Sequence, residues 1–235
     1  LSLASSYIQR GETDRAVPLI DQALTFYQSG NYRTQTWQAY VLRARGYRQK
    51  GDYKAALHSF QDQLKFAEQI GDEAGIAYTH GSLGVLLAIQ EQYAEARVHF
   101  EENRARNHTL GNQLNEGYAL VNLSVANWRL GKNDDSRQAL DQASQIANQQ
   151  GASFLALRAS INLAEAEISL ANRKSAEAEA KAKQALDLVG LEDKTVASEA
   201  KKTICIAQTQ SRRAAVGLTS CQLAVETIAG LGGPL

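Results

Sequence analysis

KGDYKAA (Lys50–Ala56) sets a glycine, Gly51, among polar residues and follows it five places on with Ala56. Forty residues upstream, RGETDRA (Arg10–Ala16) repeats the arrangement with Gly11 and Ala16; forty downstream, QEQYAEA (Gln90–Ala96) does so with Glu91 and Ala96. The same step leads to LGKNDDS (Gly131, Ser136), LANRKSA (Ala171, Ala176) and QSRRAAV (Ser211, Val216). Turn marks at 11, 51, 91, 131, 171 and 211, with no insertion between them, define six units in one register. A fixed period of a few tens of residues is the signature of stacked helical or propeller repeats.

Each unit has the same internal grammar. Seven residues before the mark stand Ala4, Ala44, Gly84, Ser124, Ala164 and Ile204; five after it stand Ala16, Ala56, Ala96, Ser136, Ala176 and Val216. Small side chains at fixed points on two consecutive helices let those helices cross closely, and larger ones would overpack the crossing. Ile20, Phe60, Phe100 and Leu140, nine after the mark, fill the space beside that contact. Leu3, Leu83, Leu123 and Leu163 lie eight before it, with Arg43 the exception. A second turn closes each unit: Gly71, Gly111 and Gly151 stand twenty after their marks, and Gly30, Gly190 and Gly230 nineteen after. Asp72, Asn112 and Asp193 follow as helix-start residues. Each unit therefore reads helix, turn, helix, turn.

Composition agrees with an all-α chain. Only two prolines, Pro18 and Pro234, interrupt 235 residues, which is long enough to bury a substantial core. Twenty-five basic and twenty-five acidic residues give zero net charge, which speaks against a nucleic-acid or anionic-membrane partner. No apolar run reaches the roughly 20 residues of a membrane span. The sequence contains no Met and starts at Leu1, so it is expected to be a fragment of a larger, cytoplasmic protein, from which a targeting segment can be missing. Cys205 and Cys221 fall at ordinary helical positions, and the expectation is two separate thiols rather than a bridge.

The pattern resembles the tetratricopeptide repeat (TPR) family, whose motif has small residues on both helices, a glycine turn and an aromatic two residues beyond it. Tyr53 and Tyr93 match that aromatic; Asn133, Arg173 and Arg213 do not. The common unit is 34 residues. A forty-residue unit is similar to the longer-helix subgroup of kinesin light chains, spindle-orientation adaptors and bacterial Rap- and MalT-type regulators. AEQIGDEAGIAYTHGSLGVLLAIQEQYAEA (Ala67–Ala96) and GNQLNEGYALVNLSVANWRLGKNDDS (Gly111–Ser136) carry the resemblance most strongly. It implies an all-α, right-handed α-solenoid of about six helix-turn-helix repeats, some twelve antiparallel helices, forming one superhelical domain over 1–235. Ile204 and Val216 depart from the small-residue rule, so the sixth unit is expected to be a cap or a junction to another domain.

Catalytic constellations are missing from the pattern, and the chain is expected not to be an enzyme. His58, His80, His99 and His108 occupy four different offsets in their units and are expected not to converge. No GxxxxGK[ST] loop or HExxH pair occurs. Cys205 and Cys221 lack metal-ligand spacing, so no metal or cofactor is expected.

The face of the first helix in each unit that points away from the packing positions is more informative. At 100° per residue it carries Gln38, Leu42, Arg45 and Gln49 in unit two, and Tyr78, Ser82, Val85 and Ile89 in unit three. Units four and five contribute Tyr118, Asn122, Val125 and Arg129, then Arg158, Asn162, Glu165 and Ser169. The resemblance implies that this stripe lines the inner, concave wall. A merely solvated face would not need so many apolar residues. Asn122 in VNLS and Asn162 in INLA share one offset, match the groove asparagines of the resembled subgroup, and can pair with both polar groups of an extended peptide backbone. Arg45, Arg129 and Arg158 against the single acid Glu165 suggest a peptide with acidic residues beside apolar anchors.

The function expected is therefore a protein–protein interaction scaffold that binds a peptide or partner segment, as a regulatory module. The alternatives are a structural or homo-oligomerising solenoid, whose stripe packs on a neighbouring coil or a second copy, and a sensory arm of an attached effector domain.

Overall fold

The computed structural model describes residues 1–190, 193–211, 221, 222 and 225, with the backbone alone at Ala152. Two compact units divide the chain, 1–110 and 111–235. The first contains α1 (Ser2–Gln9), α2 (Thr13–Ser29), α3 (Arg33–Lys50), α4 (Tyr53–Ile70), α5 (Glu73–Ile89) and α6 (Tyr93–Thr109). The second contains α7 (Gln113–Arg129), α8 (Asn133–Gln149), a 3₁₀ turn (Gly151–Phe154), α9 (Leu155–Ala171), α10 (Ser175–Val189) and α11 (Lys194–Gln210). Among the described residues there is no strand. Val216, Gly230 and most of the expected second helix of the sixth repeat lie outside the described residues.

Local chemistry explains where the helices start. The Asp72 carboxylate accepts from Gly75 N–H at 3.0 Å, Asn112 accepts from Asn115 N–H, and Asp193 from both Thr195 and Val196 N–H. Asp52 caps α4 in the same way. Each side chain satisfies a first-turn donor that the helix itself cannot. The turns follow the forty-residue step with one correction. Left-handed backbone falls at 31, 71 and 111, so Asn31 (φ 55°) takes the place assigned to Gly30. Asparagine is among the few side-chain-bearing residues that visit this region at modest cost.

A second correction concerns repeat five. Its left-handed residue is Arg173 (φ 60°), two places past the mark at Ala171. Helix α9 thus overruns by two residues, and everything on α10 moves with it. Ala176 is exposed, whereas Ala178 and Ala182, five and nine after Arg173, are fully buried. The cadence is preserved by a shift of register, which an ungapped count could not show.

Elsewhere the small residues sit where the repeat needs them. Ala16, Ala44, Ala56, Ala96 and Ser124 are wholly buried. At Gly84 the reason is direct: a Cβ there would stand 2.5 Å from the Phe100 ring. Ala56→Leu or Ala96→Leu should therefore wedge a hairpin open at about 1–3 kcal/mol each. The urea midpoint checks this, and an unmoved midpoint would refute the register.

Arg43 stands where other repeats have leucine. Its guanidinium lies 5.2 Å over the Tyr40 ring and pairs with Asp21 (3.4 Å) on α2 and with Asp62 on α4. A charged bridge across three helices replaces an apolar contact. Leu3, by contrast, is 57% exposed and does not serve as core.

Two buried amides, forty residues apart, contrast. Asn103 donates to the Ala77 carbonyl at 2.6 Å, while Gln63, fully buried, has neither amide atom paired. An unpaired buried amide carries its full desolvation cost, about 1–3 kcal/mol. Gln63→Leu should raise the denaturation midpoint, and a lowered one would show that the amide is satisfied in solution.

The cysteines are bridged, contrary to the sequence expectation. Cys205 on α11 and Cys221 lie 4.8 Å apart at Cα and form a disulfide. The physical reason was already in the repeat. Cys205 and Cys221 stand six before and ten after the mark at 211, next to the seven-and-nine pairing that brings Gly84 onto Phe100. Residues at matching distances on either side of a hairpin turn face one another.

Candidate functional site: the unpaired faces of the first helices

In the unit 1–110, α1 and α3 border a cleft of about 550 Å3. Ser2, Ser5 and Ser6 line it from α1; Trp37, Leu42 and Arg45 line it from α3. Gln38 also lines it, so three of the four stripe positions predicted for α3 share one recess. Arg45 is exposed and makes no ion pair among the described residues. Trp37, absent from the predicted stripe, is the residue the sequence reading missed. Its ring meets Tyr78 edge-on, with centroids 6.0 Å apart, and so links the faces of α3 and α5. On α5, Tyr78 and Ile89 are about half exposed, and Ser82 and Val85 half-buried between them.

In the unit 111–235, Tyr118, Asn122 and Val125 on α7 and Asn162 on α9 are all half-buried. Among the described residues neither asparagine side chain forms a hydrogen bond, which leaves both amides with donors and an acceptor to offer. Burial, and then the Asp193 carboxylate, push the Tyr118 phenol above its ordinary pKa, so it remains a neutral donor.

The cations here are less free than the sequence suggested. Arg129 donates to Glu167 on α9 at 2.6 Å and lies 4.8 Å over the Trp128 ring. Arg158 turns toward the end of α8, where its Nη2 donates to the Ala147 carbonyl at 3.3 Å, and its Nε is buried without a partner. Glu165 is neutralised by Lys181 at 2.6 Å, and Ser169 is buried rather than facing outward. Of the three arginines, only Arg129 has a carboxylate partner among the described residues; Arg45 is exposed, and Arg158 is half-buried against a backbone carbonyl. Partners on the next helix, Glu167 for Arg129 and Lys181 for Glu165, decide how much charge these faces show.

The histidines correct another expectation. His80 on α5 and His99 on α6 meet, Nδ1 to Nδ1, at 3.0 Å. Their offsets, eleven before and eight after the mark, lie at comparable distances from the hairpin turn, and antiparallel packing joins them.

These observations define the protein class: a helical-repeat chain of the TPR-like solenoid fold, built from antiparallel hairpins. The structure is similar to BtubC (BKLC) from P. vanneervenii, with a TM-score of 0.67 and 12% identity over 95% of this chain and 93% of that one. It is also similar to the putative kinesin light chain TPR-like repeats of Podosopora anserina, with a TM-score of 0.60, 17% identity, and 82% and 94% coverage. A Rap protein complexed with competence and sporulation factor gives a TM-score of 0.60 and 16% identity over 95% of this chain and 63% of that one. No protein-family model and no curated protein sequence matches. Among the described residues no helix is long and apolar enough to cross a membrane.

Proposed function

We propose that this chain is a protein-interaction module within a larger regulatory protein, in which the open faces of the first helices α7 and α9, in the unit 111–235, grip an extended peptide segment, and the cleft of the unit 1–110 offers a recess of its own. The observation that carries the reading is the pair Asn122 and Asn162: equivalent positions on α7 and α9, both partly accessible, with no hydrogen bond from either amide among the described residues. An accessible amide of this kind can exchange its water for a ligand's polar groups. An extended peptide supplies such groups, a C=O and an N–H at each residue. The cleft beside Trp37 and Leu42 suits an apolar anchor, and Arg45 an adjacent carboxylate. The preference for acidic residues thus rests on Arg45 rather than on three arginines. That a Rap protein of this fold is complexed with competence and sporulation factor supports an interaction role. The Cys205–Cys221 bridge pulls against the cytoplasmic expectation, because reducing compartments keep such thiols free.

Random displayed peptides selected on the whole chain provide the test. Hydrogen bonds of about 0.5–1.5 kcal/mol each imply that Asn122→Ala with Asn162→Ala weakens selected peptides about tenfold or more. Arg45→Glu should reduce binding of those clones that carry Asp or Glu. Unchanged affinities with intact helicity would refute the groove. A chain that instead selects nothing and doubles its mass with concentration, reversibly on Tyr78→Ser with Ile89→Ser, would establish the oligomerising alternative.

A further inference from the structure

We propose that His80 and His99 form a two-imidazole clamp for a divalent late transition ion of the Cu²⁺ or Ni²⁺ class, holding α5 to α6. The imidazoles come from separate helices, their ring centroids are 5.2 Å apart, and the rings are tilted by 38°. The two Nδ1 atoms, 3.0 Å apart, now share a single proton: one must donate and the other accept. When the donor imidazole carries its proton on Nε2 instead, the other tautomer, both Nδ1 atoms offer lone pairs to one metal ion and no proton is lost.

The spacing selects the ion. With metal–nitrogen distances of about 2.0–2.1 Å, a 3.0 Å separation subtends about 95° at the metal. A tetrahedral centre would need the nitrogens several tenths of an ångström farther apart. The nitrogen–nitrogen separation matches adjacent positions of a square-planar or tetragonal centre, and that geometry belongs to Cu²⁺ and Ni²⁺. The lone pairs now lie along the line between the rings, and each must swing by about 40° to reach such a centre, about the final side-chain torsion, which is a broad one.

The surroundings keep the ligands ready. Burial is the main reason both imidazoles have pKa values below the ordinary histidine value, so both are neutral and competent at pH 7. Glu102 acts on His80 and Glu95 on His99 with fields that favour a cation, opposed by Arg106. Arg106 is itself held by Glu102 at 2.7 Å and paired with Glu73. Among the described residues no cluster of three or more His, Cys, Asp or Glu side chains is placed to hold a metal, so water completes the coordination. His58 and His108 lie apart at exposed positions. They give single-imidazole background sites only.

The whole chain is titrated with CuCl₂ and, separately, NiCl₂ at pH 7.5, followed by calorimetry and, for copper, by electron paramagnetic resonance. The expected result is one strongest site per chain with a two-nitrogen hyperfine pattern, weakened at least tenfold in His80→Gln and in His99→Gln. His58→Gln with His108→Gln should leave that site intact. Equal titration of wild type and the His80 or His99 variants, or a signal from fewer than two imidazole nitrogens, would overturn the proposal. If a variant loses its helical circular dichroism, the hyperfine pattern of the unmodified chain decides alone.

Discussion

Phe100→Ala should cost about 3–5 kcal/mol, the range for removing a fully buried aromatic ring. Phe100 is 2% exposed, and its ring occupies the space that Gly84 leaves by having no side chain. Removal forfeits the ring's transfer energy and leaves a cavity between α5 and α6 that two helices locked by the Ala96 contact cannot easily close. Because repeats touch only their neighbours, the loss should concentrate in that hairpin rather than spread evenly. Urea denaturation gives the magnitude, and amide exchange resolved on α5 and α6 gives the location. Gly84→Ala should also destabilise, and in a double-mutant cycle it should cost less when Phe100 is already alanine, since the clash has gone. A loss below about 1 kcal/mol for Phe100→Ala would show that the ring is not the wedge of this hairpin.

Opening the disulfide should have the second largest effect. Cys205 and Cys221 are separated by 16 positions, and in the chain-entropy view a loop of that size restricts the unfolded state by about 3 kcal/mol. Reductant, or Cys205→Ser, should lower stability by that order and raise amide exchange along α11. The serine variant should then be insensitive to reductant. Two freely titrating thiols in the oxidised native chain would refute the bridge, and with it the argument for an oxidising compartment.

The legible part of the fold was the part set by periodicity. Buried alanines at 16, 44, 56 and 96, the helix starts at Asp72 and Asn112, and Phe100 against Gly84 all follow from local rules repeated at a constant step. Periodicity fails where one turn differs. The overrun of α9 to Ala171 moved the packing residue from Ala176 to Ala178, and no property of Ala171 or Arg173 marks the shift in advance. Pairings across a turn were also within reach of the sequence, had residues been compared at matching distances on either side of it. Cys205 and Cys221, six and ten residues from the mark at 211, and His80 and His99, eleven and eight from the mark at 91, come within about one helical turn of such a match.

From order of residues alone come the all-helical class, the forty-residue hairpin, the buried small residues and the helices that carry the open faces, because each depends on neighbours within a turn or two. What awaited the tertiary structure was the state of each side chain on those faces. Whether an arginine is a free charge depends on Glu167 or the Ala147 carbonyl, contributed by another helix. Burial, ion pairing and the 3.0 Å approach of two imidazoles are properties of helices brought side by side, and such distances are fixed by packing rather than by spacing along one chain.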